Sequence, residues 1–204
     1  MFILDNFIDR YHADRIEQEF SSNKFPWYYL EQSLPLPAVT GFVNTSVFRH
    51  SFIVENKSNS DYVSLLTPFL EKITNMFSSK IEVASITANF LIPNQDLIGK
   101  HIIPHYDVKY ENKVYNEFQT YTGLYYVNDS DGETILFNEK QDNEPILSFT
   151  ELGRVIPKKN RFVFWNSRHY HSAPASATRN RFVINFNFIV EKGSVAEPGL
   201  LQQS

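Results

Sequence analysis

Apolar side chains in the first eighty residues recur mainly at helical spacing. The stretch from Ile8 to Phe20 alternates apolar and charged positions with a period near that of a helix, which predicts an amphipathic surface helix. Short strands are expected near 2–8 and 25–30, and 43–54 fits either a strand or an irregular connection. A second helix is predicted after capping residues at 58–61, with an apolar face made of Val63, Leu66, Phe69, Leu70, Ile73 and Phe77. These elements predict two helices that cover one side of a sheet.

From residue 81 onward the pattern changes to short apolar or alternating segments separated by turns. The Asn-, Asp- and Gly-rich stretch 128–132 predicts a hairpin. Many short strands with close turns favour a β-sandwich or jelly roll over a parallel sheet. The predicted strands are 81–91, 102–108, 119–127, 133–137, 147–150, 154–156, 161–165 and 181–190.

The domain organisation follows from this division. A length of 204 residues, without internal repeats or low-complexity linkers, predicts a single domain. Within it, residues 1–80 are expected to form an N-terminal support of helices and strands. Residues 81–192 are expected to form a mainly β jelly-roll catalytic core. The small and polar residues of 193–204 predict a flexible tail.

Composition narrows the possible functions. Aromatic residues make up 15% of the chain, which favours a strand-rich core. A net charge of -4 disfavours a nucleic-acid partner, and the absence of cysteine excludes disulfides and thiolate metal sites. There is no apolar run of bilayer-spanning length, and the N-terminus lacks the basic leader of a signal peptide. We therefore expect a soluble, cytoplasmic protein.

The candidate chemistry begins at His105-Tyr106-Asp107. In an extended strand His105 and Asp107 would project from one face, about 7 Å apart. A second histidine would complete a set of two imidazoles and one carboxylate, which leaves coordination positions open and suits ferrous iron in oxygenases. Two histidines, His169 and His171, are available near the end of the strand-rich region. The sequence therefore predicts a metal site with two alternatives for its third ligand.

The run from Pro104 to Val190 resembles the iron(II)- and 2-oxoglutarate-dependent dioxygenases, specifically the prolyl-4-hydroxylase-like branch. The segments that carry the resemblance are His105-x-Asp107, Leu124-Tyr-Tyr-Val-Asn128 leading into Asp131-Gly-Glu-Thr134, His171-Ser-Ala-Pro174, and Arg181-Phe-Val-Ile-Asn-Phe-Asn-Phe188. Their order and spacing match the family pattern as well. The resemblance implies a double-stranded β-helix, the jelly-roll core of that family.

The resemblance also implies roles for individual residues. His105, Asp107 and His171 would be the catalytic iron ligands, with His169 an open alternative to His171. Arg181 would bind the distal carboxylate of 2-oxoglutarate with two parallel hydrogen bonds, with Arg179 as its alternative. Tyr126 would add a hydroxyl to the same carboxylate, while Tyr125 would face away from it. Strand alternation separates the polar face Arg181, Val183, Asn185 and Asn187 from the apolar face Phe182, Ile184, Phe186 and Phe188.

The implied activity is hydroxylation of a C–H bond with succinate and carbon dioxide as co-products. It requires Fe(2+), 2-oxoglutarate and O2, with ascorbate as an accessory reductant. The resemblance favours a prolyl or other peptidyl residue as the substrate, bound near Tyr106, Lys109, Tyr110 and the connection 111–118. Two alternatives stay open: the same chemistry on a nucleobase or small metabolite, and a non-catalytic jelly-roll module that binds a metal or ligand.

Overall fold

The computed structural model describes residues 1–31, 42–43, 45–77, 80–98, 100–107, 118–141, 146, 148–173 and 178–191. Residues 111–117 of the predicted connection and the predicted tail 193–204 lie outside these residues. The helices are α1 (Arg10–Phe20) and α2 (Thr67–Met76), with 3₁₀ segments at Asp61–Leu66 and Gln95–Leu97. The strands are β1 (Phe2–Leu4), β2 (Tyr28–Leu30), β3 (Phe42–Val43), β4 (Val47–Val54), β5 (Lys57–Ser58), β6 (Ile81–Leu91), β7 (His101–Ile102), β8 (Phe118–Tyr126), β9 (Thr134–Lys140), β10 (Glu151–Val155), β11 (Arg161–Asn166), β12 (His169–Ser172) and β13 (Arg181–Glu191).

The strands form a large and a small antiparallel sheet. The large sheet has the order β1-β11-β8-β13-β6-β4-β2, with β5 paired to β4. The small sheet has the order β10-β9-β12, and β3 and β7 form a separate parallel pair. The chain is thus mainly β with flanking helices, which confirms the predicted jelly-roll class. Among the described residues, no helix is long and apolar enough to cross a membrane.

The two faces of β13 differ as its alternation predicted. Phe182 and Phe186 belong to a large apolar core together with residues of α1 and α2. The ring centroid of Phe182 lies 6.4 Å from that of Phe20, and that of Phe186 lies 5.4 Å from that of Phe69. Both helices therefore bury their apolar faces against one side of the large sheet. The opposite side of that sheet is left for the small sheet and the site.

A second apolar cluster joins the two sheets. Its members from the large sheet include Leu124, Tyr126 and Val183, and those from the small sheet are Leu136 and Val155. The small sheet thus packs on the face of β13 that carries Arg181 and Asn185. This arrangement makes the interior between the sheets the place where polar side chains of β13 can meet residues of β9 and β12.

The predicted strand 102–108 is wrong over most of its length. Only His101 and Ile102 form a strand, and His105 makes a single bridge to His171. Pro104 interrupts the ladder because it has no N–H to donate. The segments predicted at 147–150 and 154–156 are replaced, within the described residues, by the single strand β10. Strand β12 was not predicted, and it carries both candidate histidines.

Most of the described N-terminal strands belong to the large sheet, namely β1, β2, β4 and β5. Strand β1 pairs with β11, and β4 pairs with β6. The ambiguous stretch 43–54 therefore contains a central strand of the sheet. The single domain stays a prediction, as does its division near residue 80 into an N-terminal support and a jelly-roll core.

Gly123 allows β8 to pass close to a buried aromatic ring. A Cβ atom at this position would lie 2.5 Å from Cζ of Phe162. Phe162 has no exposed surface and stacks on Phe7 at 4.3 Å between ring centroids, so its ring cannot shift freely. We expect Gly123→Ala to lower the free energy of unfolding by about 1–3 kcal/mol, measured by urea denaturation.

Gly153→Ala is the matched control, because a Cβ there would meet only the terminal Cε of Met1, at 3.2 Å. Its effect on unfolding should be well below that of Gly123→Ala. Equal effects of the two substitutions would contradict the packing explanation.

A charge cluster ties β1 to the start of β11. Asp5 accepts hydrogen bonds from Nε of Arg161 at 2.6 Å and from Nζ of Lys158 at 3.1 Å. The Arg161 hydrogen bond is the main cause that lowers the pKa of Asp5 to about 2. The folded state therefore favours the ionised carboxylate, and this contribution to stability is present above the ordinary pKa of 3.8 and lost as the pH falls towards 2.

We expect Asp5→Asn to reduce stability by about 1 kcal/mol at pH 7, after allowance for solvent screening. The difference from the unmodified protein should be constant from neutral pH down to about pH 5 and shrink below the ordinary carboxyl pKa. Urea midpoints measured across this range test the expectation. Glu55→Gln, at an exposed position in the β4–β5 turn, is the control. A destabilisation by Asp5→Asn that does not depend on pH would argue against the ion pair as its cause.

Candidate active site

Three potential metal ligands meet at the bridge between the segment after β7 and strand β12. His105 and His171 exchange backbone hydrogen bonds of 3.0 and 2.9 Å, which holds their side chains side by side. One ligand atom from each of His105, Asp107 and His171 lies within 4.8 Å of the others. The Asp107 carboxylate is 4.0 Å from Nε2 of His105 and 3.5 Å from Nε2 of His171. The structure thus brings together the three residues that the resemblance implied as ligands.

Neighbouring groups contact all three of these side chains. Nδ1 of His105 lies 3.0 Å from the carbonyl oxygen of Ile103, so Nδ1 carries the proton and the lone pair of Nε2 faces the cluster. The side-chain amide of Asn185 donates a 3.0 Å hydrogen bond to Oδ2 of Asp107. The ring of Trp165 packs edge-on against His171 at 5.1 Å. These contacts hold the donor set in a defined arrangement.

The electrostatics of the cluster favour the protonation states that metal binding needs. Burial works to raise the pKa of Asp107, but His171, His105, the Asn185 hydrogen bond and Arg49 together hold it below its usual range. Burial lowers the pKa of His171 to about 4. At neutral pH the carboxylate is ionised and the His171 imidazole is neutral, as a divalent cation requires.

His169 lies on the same strand as His171 but outside the cluster. Its Nδ1 is 2.8 Å from the carbonyl oxygen of Phe137, and burial lowers its pKa. The pairing of β12 with β9 is irregular between the two histidines, so their side chains do not share one environment. Tyr106, between the two N-terminal ligands, packs edge-on against Tyr170 at 5.2 Å between ring centroids.

Arg181 lies in the same interior with only 3% of its surface exposed. Its Nε donates to the carbonyl oxygen of Gly132, and its Nη2 donates to Oγ1 of Thr134, both at 3.0 Å. Burial lowers the pKa of Arg181, but a guanidinium remains charged at any ordinary pH. Arg179, the alternative, lies on the exposed surface before β13 begins.

Tyr126 and Thr134 complete the surroundings of Arg181. The hydroxyl of Tyr126 donates to Oγ1 of Thr134 at 2.8 Å, and burial raises the pKa of this phenol. Cζ of Arg181 lies 5.7 Å from the centre of the Tyr126 ring. Tyr125 points the other way, into the core beneath the helices, where its hydroxyl donates to Asn160. The predicted difference between the two tyrosines is therefore found in the structure.

One pocket connects the three ligands with Arg181. Its lining includes the three potential ligands as well as Thr134 and Arg181. The pocket encloses about 620 Å³, including its opening to solvent. Apolar side chains of Leu124 and Val183 form part of its wall.

Sequence reasoning missed several polar residues of this pocket. The sequence singles out Thr134 only as the last residue of the matched segment 131–134. In the structure it is buried, and its Oγ1 accepts a hydrogen bond from Arg181. Asn185 was placed on the correct face of β13, but its bond to Asp107 was not foreseen. Arg49 and Asn89 also line the pocket, and no signal pointed to Arg49 because its strand was left ambiguous.

Comparison with known proteins agrees with this geometry. Residues 93–189 match the family model of the 2OG-Fe(II) oxygenase superfamily, where 2OG is 2-oxoglutarate. The matched segment, slightly less than half of the chain, is similar to this superfamily and contains the three clustered ligand residues and Arg181. The match and the ligand cluster support an Fe(II)- and 2-oxoglutarate-dependent enzyme over the non-catalytic binding module. Among curated protein sequences, none matches this oxygenase significantly.

Several solved structures share the fold of the oxygenase. A prolyl hydroxylase from Trichoplax adhaerens, in complex with a hypoxia inducible factor peptide, is 14% identical with a TM-score of 0.54, covering 98% of this chain and 86% of that one. A prolyl-4-hydroxylase from Pseudomonas putida is 11% identical with a TM-score of 0.54, covering 94% and 92%. The carbocyclase SnoK of nogalamycin biosynthesis is 13% identical with a TM-score of 0.62, covering 99% and 85%.

The pocket residues of the oxygenase fit both groups that the superfamily uses. Two imidazoles and one carboxylate are a donor set for ferrous iron that leaves positions open. A buried guanidinium in the same pocket suits the carboxylate of a dicarboxylic acid. Fe(2+) and 2-oxoglutarate are the cofactor and co-substrate of the enzyme.

Proposed function

We propose that the oxygenase hydroxylates a C–H bond, with His105, Asp107 and His171 as iron ligands and Arg181 as the anchor of 2-oxoglutarate. The observation that supports this most directly is the single pocket shared by the three ligands and the buried arginine. Bound iron and 2-oxoglutarate together supply the oxidation, in which 2-oxoglutarate and O2 yield succinate, carbon dioxide and one oxygen atom for the substrate.

The side chains of the pocket contribute orientation and exclusion of water. Asn185 fixes the carboxylate of Asp107, so the ligand does not reorient when the metal or substrate binds. Thr134 and Gly132 hold the guanidinium of Arg181 in place. Tyr126 lies beside it and would become the second donor for the distal carboxylate by turning its hydroxyl away from Thr134. The side chains of Leu124 and Val183 add apolar surface to the wall of the pocket.

For the substrate, we propose a prolyl or other peptidyl residue. The proposal is supported by the match to the superfamily and by the shared fold with two prolyl hydroxylases. The second candidate is a small metabolite, since the carbocyclase SnoK has a similar fold. The negative net charge disfavours a nucleobase within nucleic acid.

Succinate formation from 2-oxoglutarate, with ferrous iron and ascorbate present, tests the proposed function. We expect slow succinate formation by the protein alone and faster formation with prolyl peptides, together with a peptide product heavier by one oxygen atom. Stimulation by small metabolites but not by peptides would favour the second candidate. Iron-saturated protein that forms no succinate under any of these conditions would contradict the proposed function.

A further inference from the structure

A second arginine, Arg49, lines the pocket on the opposite flank from Tyr126. In the large sheet, Arg49 of β4 is opposite Asn89 of β6, Asn89 is opposite Val183 of β13, and Val183 is opposite Tyr126 of β8. Residues in register across a sheet project from the same face. Three of these residues, Arg49, Asn89 and Val183, line the pocket on that face. Strand β4 lies two strands from β13, or about 10 Å, on the side away from β8.

The hydrogen bonding of Arg49 leaves most of its guanidinium available. Its Nε donates to Oδ1 of Asn89 at 2.8 Å, and within the described part of the chain this is its one hydrogen bond. A guanidinium has five N–H groups, so the two terminal nitrogens keep four donors for another partner. Burial lowers the pKa of Arg49, and the charge of Asp107 partly opposes this effect. Among the described residues, Arg49 and Asp107 form no ion pair.

Among the described residues that line the pocket, no carboxylate is left to pair with Arg49 once the co-substrate is bound. The positive charges of ferrous iron and Arg181 are matched by Asp107 and the two carboxylates of 2-oxoglutarate. The Arg49 guanidinium is then a single excess positive charge in a half-buried pocket. Buried charges are stable only when paired, which favours an anionic group on the incoming substrate.

The position of Arg49 separates it from the anchor of 2-oxoglutarate. Arg181 is directed towards Gly132, Thr134 and Tyr126, on the β8 side of β13. Arg49 is fixed by Asn89 on the other side of β13. The two guanidinium groups therefore lie on opposite sides of β13 in the same pocket.

We propose that Arg49 binds a carboxylate of the substrate, so that the oxygenase acts on molecules with a free carboxylate near the C–H bond that is oxidised. This inference rests on the proposed function and restricts its substrate class. A free amino acid, the C-terminal residue of a peptide and an acidic side chain all provide this group. An internal prolyl residue with neutral neighbours does not.

The proposal is tested by binding matched acids and amides to protein loaded with ferrous iron and 2-oxoglutarate without oxygen. The readout is the visible charge-transfer absorption of the iron and 2-oxoglutarate complex, which changes when a substrate binds nearby. N-acetyl-L-proline is compared with N-acetyl-L-prolinamide for a main-chain carboxylate. For a side-chain carboxylate, N-acetyl-L-glutamic acid α-amide is compared with N-acetyl-L-glutamine amide.

We expect at least one acid to bind about 10- to 100-fold more tightly than its amide, the usual effect of a hydrogen-bonded charge pair. Arg49→Gln should remove this preference, and Arg49→Lys should retain part of it. Arg179→Gln, which changes an exposed arginine outside the pocket, should keep it. The absorption band measured before any acetylated acid or amide is added shows that each variant is folded and binds 2-oxoglutarate.

Three outcomes would overturn the proposal. The first is no preference for either acid over its amide in the unmodified protein. The second is a preference that survives Arg49→Gln. The third is weakening of 2-oxoglutarate binding by Arg49→Gln as severe as that caused by loss of Arg181, which would assign Arg49 to the co-substrate. Absence of the band and of succinate formation in the unmodified protein would instead refute the proposed function itself.

Discussion

His171→Ala is expected to abolish succinate formation and to weaken iron binding by at least about 100-fold. Loss of groups that only orient a metal ligand already costs 10–100-fold in affinity or activity, so loss of a ligand should cost at least the upper end of that range. The imidazole of His171 is buried, lies 3.5 Å from the Asp107 carboxylate, and is paired through its backbone with His105. Iron affinity measured by competition with a chelator, together with succinate formation, tests this expectation.

His169→Ala is the matched control, two positions away on the same strand. The imidazole of His169 bonds to the carbonyl of Phe137 and lies outside the ligand cluster. We expect iron affinity within about threefold of the unmodified protein and a loss of stability of about 1 kcal/mol from the missing hydrogen bond. If His169→Ala lost iron binding while His171→Ala kept it, the assignment of the third ligand would be reversed.

Arg181→Met is expected to raise the 2-oxoglutarate concentration needed for half-maximal turnover by about 10- to 100-fold. A hydrogen bond to a charged group contributes about 1.5–3 kcal/mol, which corresponds to this range. Methionine keeps an apolar stem in the buried site but removes the charge and the donors. Iron affinity in the absence of 2-oxoglutarate should change little, since Arg181 is not one of the three clustered ligand residues. Titration of 2-oxoglutarate at saturating iron measures the effect.

Arg179→Met is the control for this prediction, because Arg179 is exposed and precedes β13. Its 2-oxoglutarate requirement should stay within about twofold of that of the unmodified protein. Arg181→Lys adds a second comparison, since a lysine retains the charge without the planar pair of donors. A larger effect of Arg179→Met than of Arg181→Met would show that the anchor is misassigned.

The strand-rich fold and the order of its elements could be predicted because strand and helix periods are local properties of the sequence. The alternation along β13 correctly placed Arg181 and Asn185 on one face and Phe182 and Phe186 on the other. Residues whose strands carried no clear period could not be placed in the same way. Arg49 reaches the pocket only because β4 pairs in register with β6, a contact between distant parts of the chain.

The approach of His105 to Asp107 was predicted for a partly wrong reason. An extended strand was expected at 102–108. Within its described part, the strand pairing ends before Pro104, and beyond it there is the isolated bridge between His105 and His171. The two side chains still meet because both are held by contacts outside their own segment, His171 for one and Asn185 for the other. The spacing of the motif was therefore more reliable than the secondary structure assigned to it.

By itself, the sequence determined the mainly β class, the polar and apolar faces of β13, and the set of residues from which a metal site could form. These follow from local periodicity and residue chemistry. Tertiary structure alone showed that His171 joins the cluster with His105 and Asp107 while His169, which has the same parity along the chain, lies outside it. The irregular pairing of β12 with β9 breaks their equivalence, directing His169 to the Phe137 carbonyl while His171 pairs with His105. Parity describes one regular strand, whereas the position of a ligand depends on the register between strands.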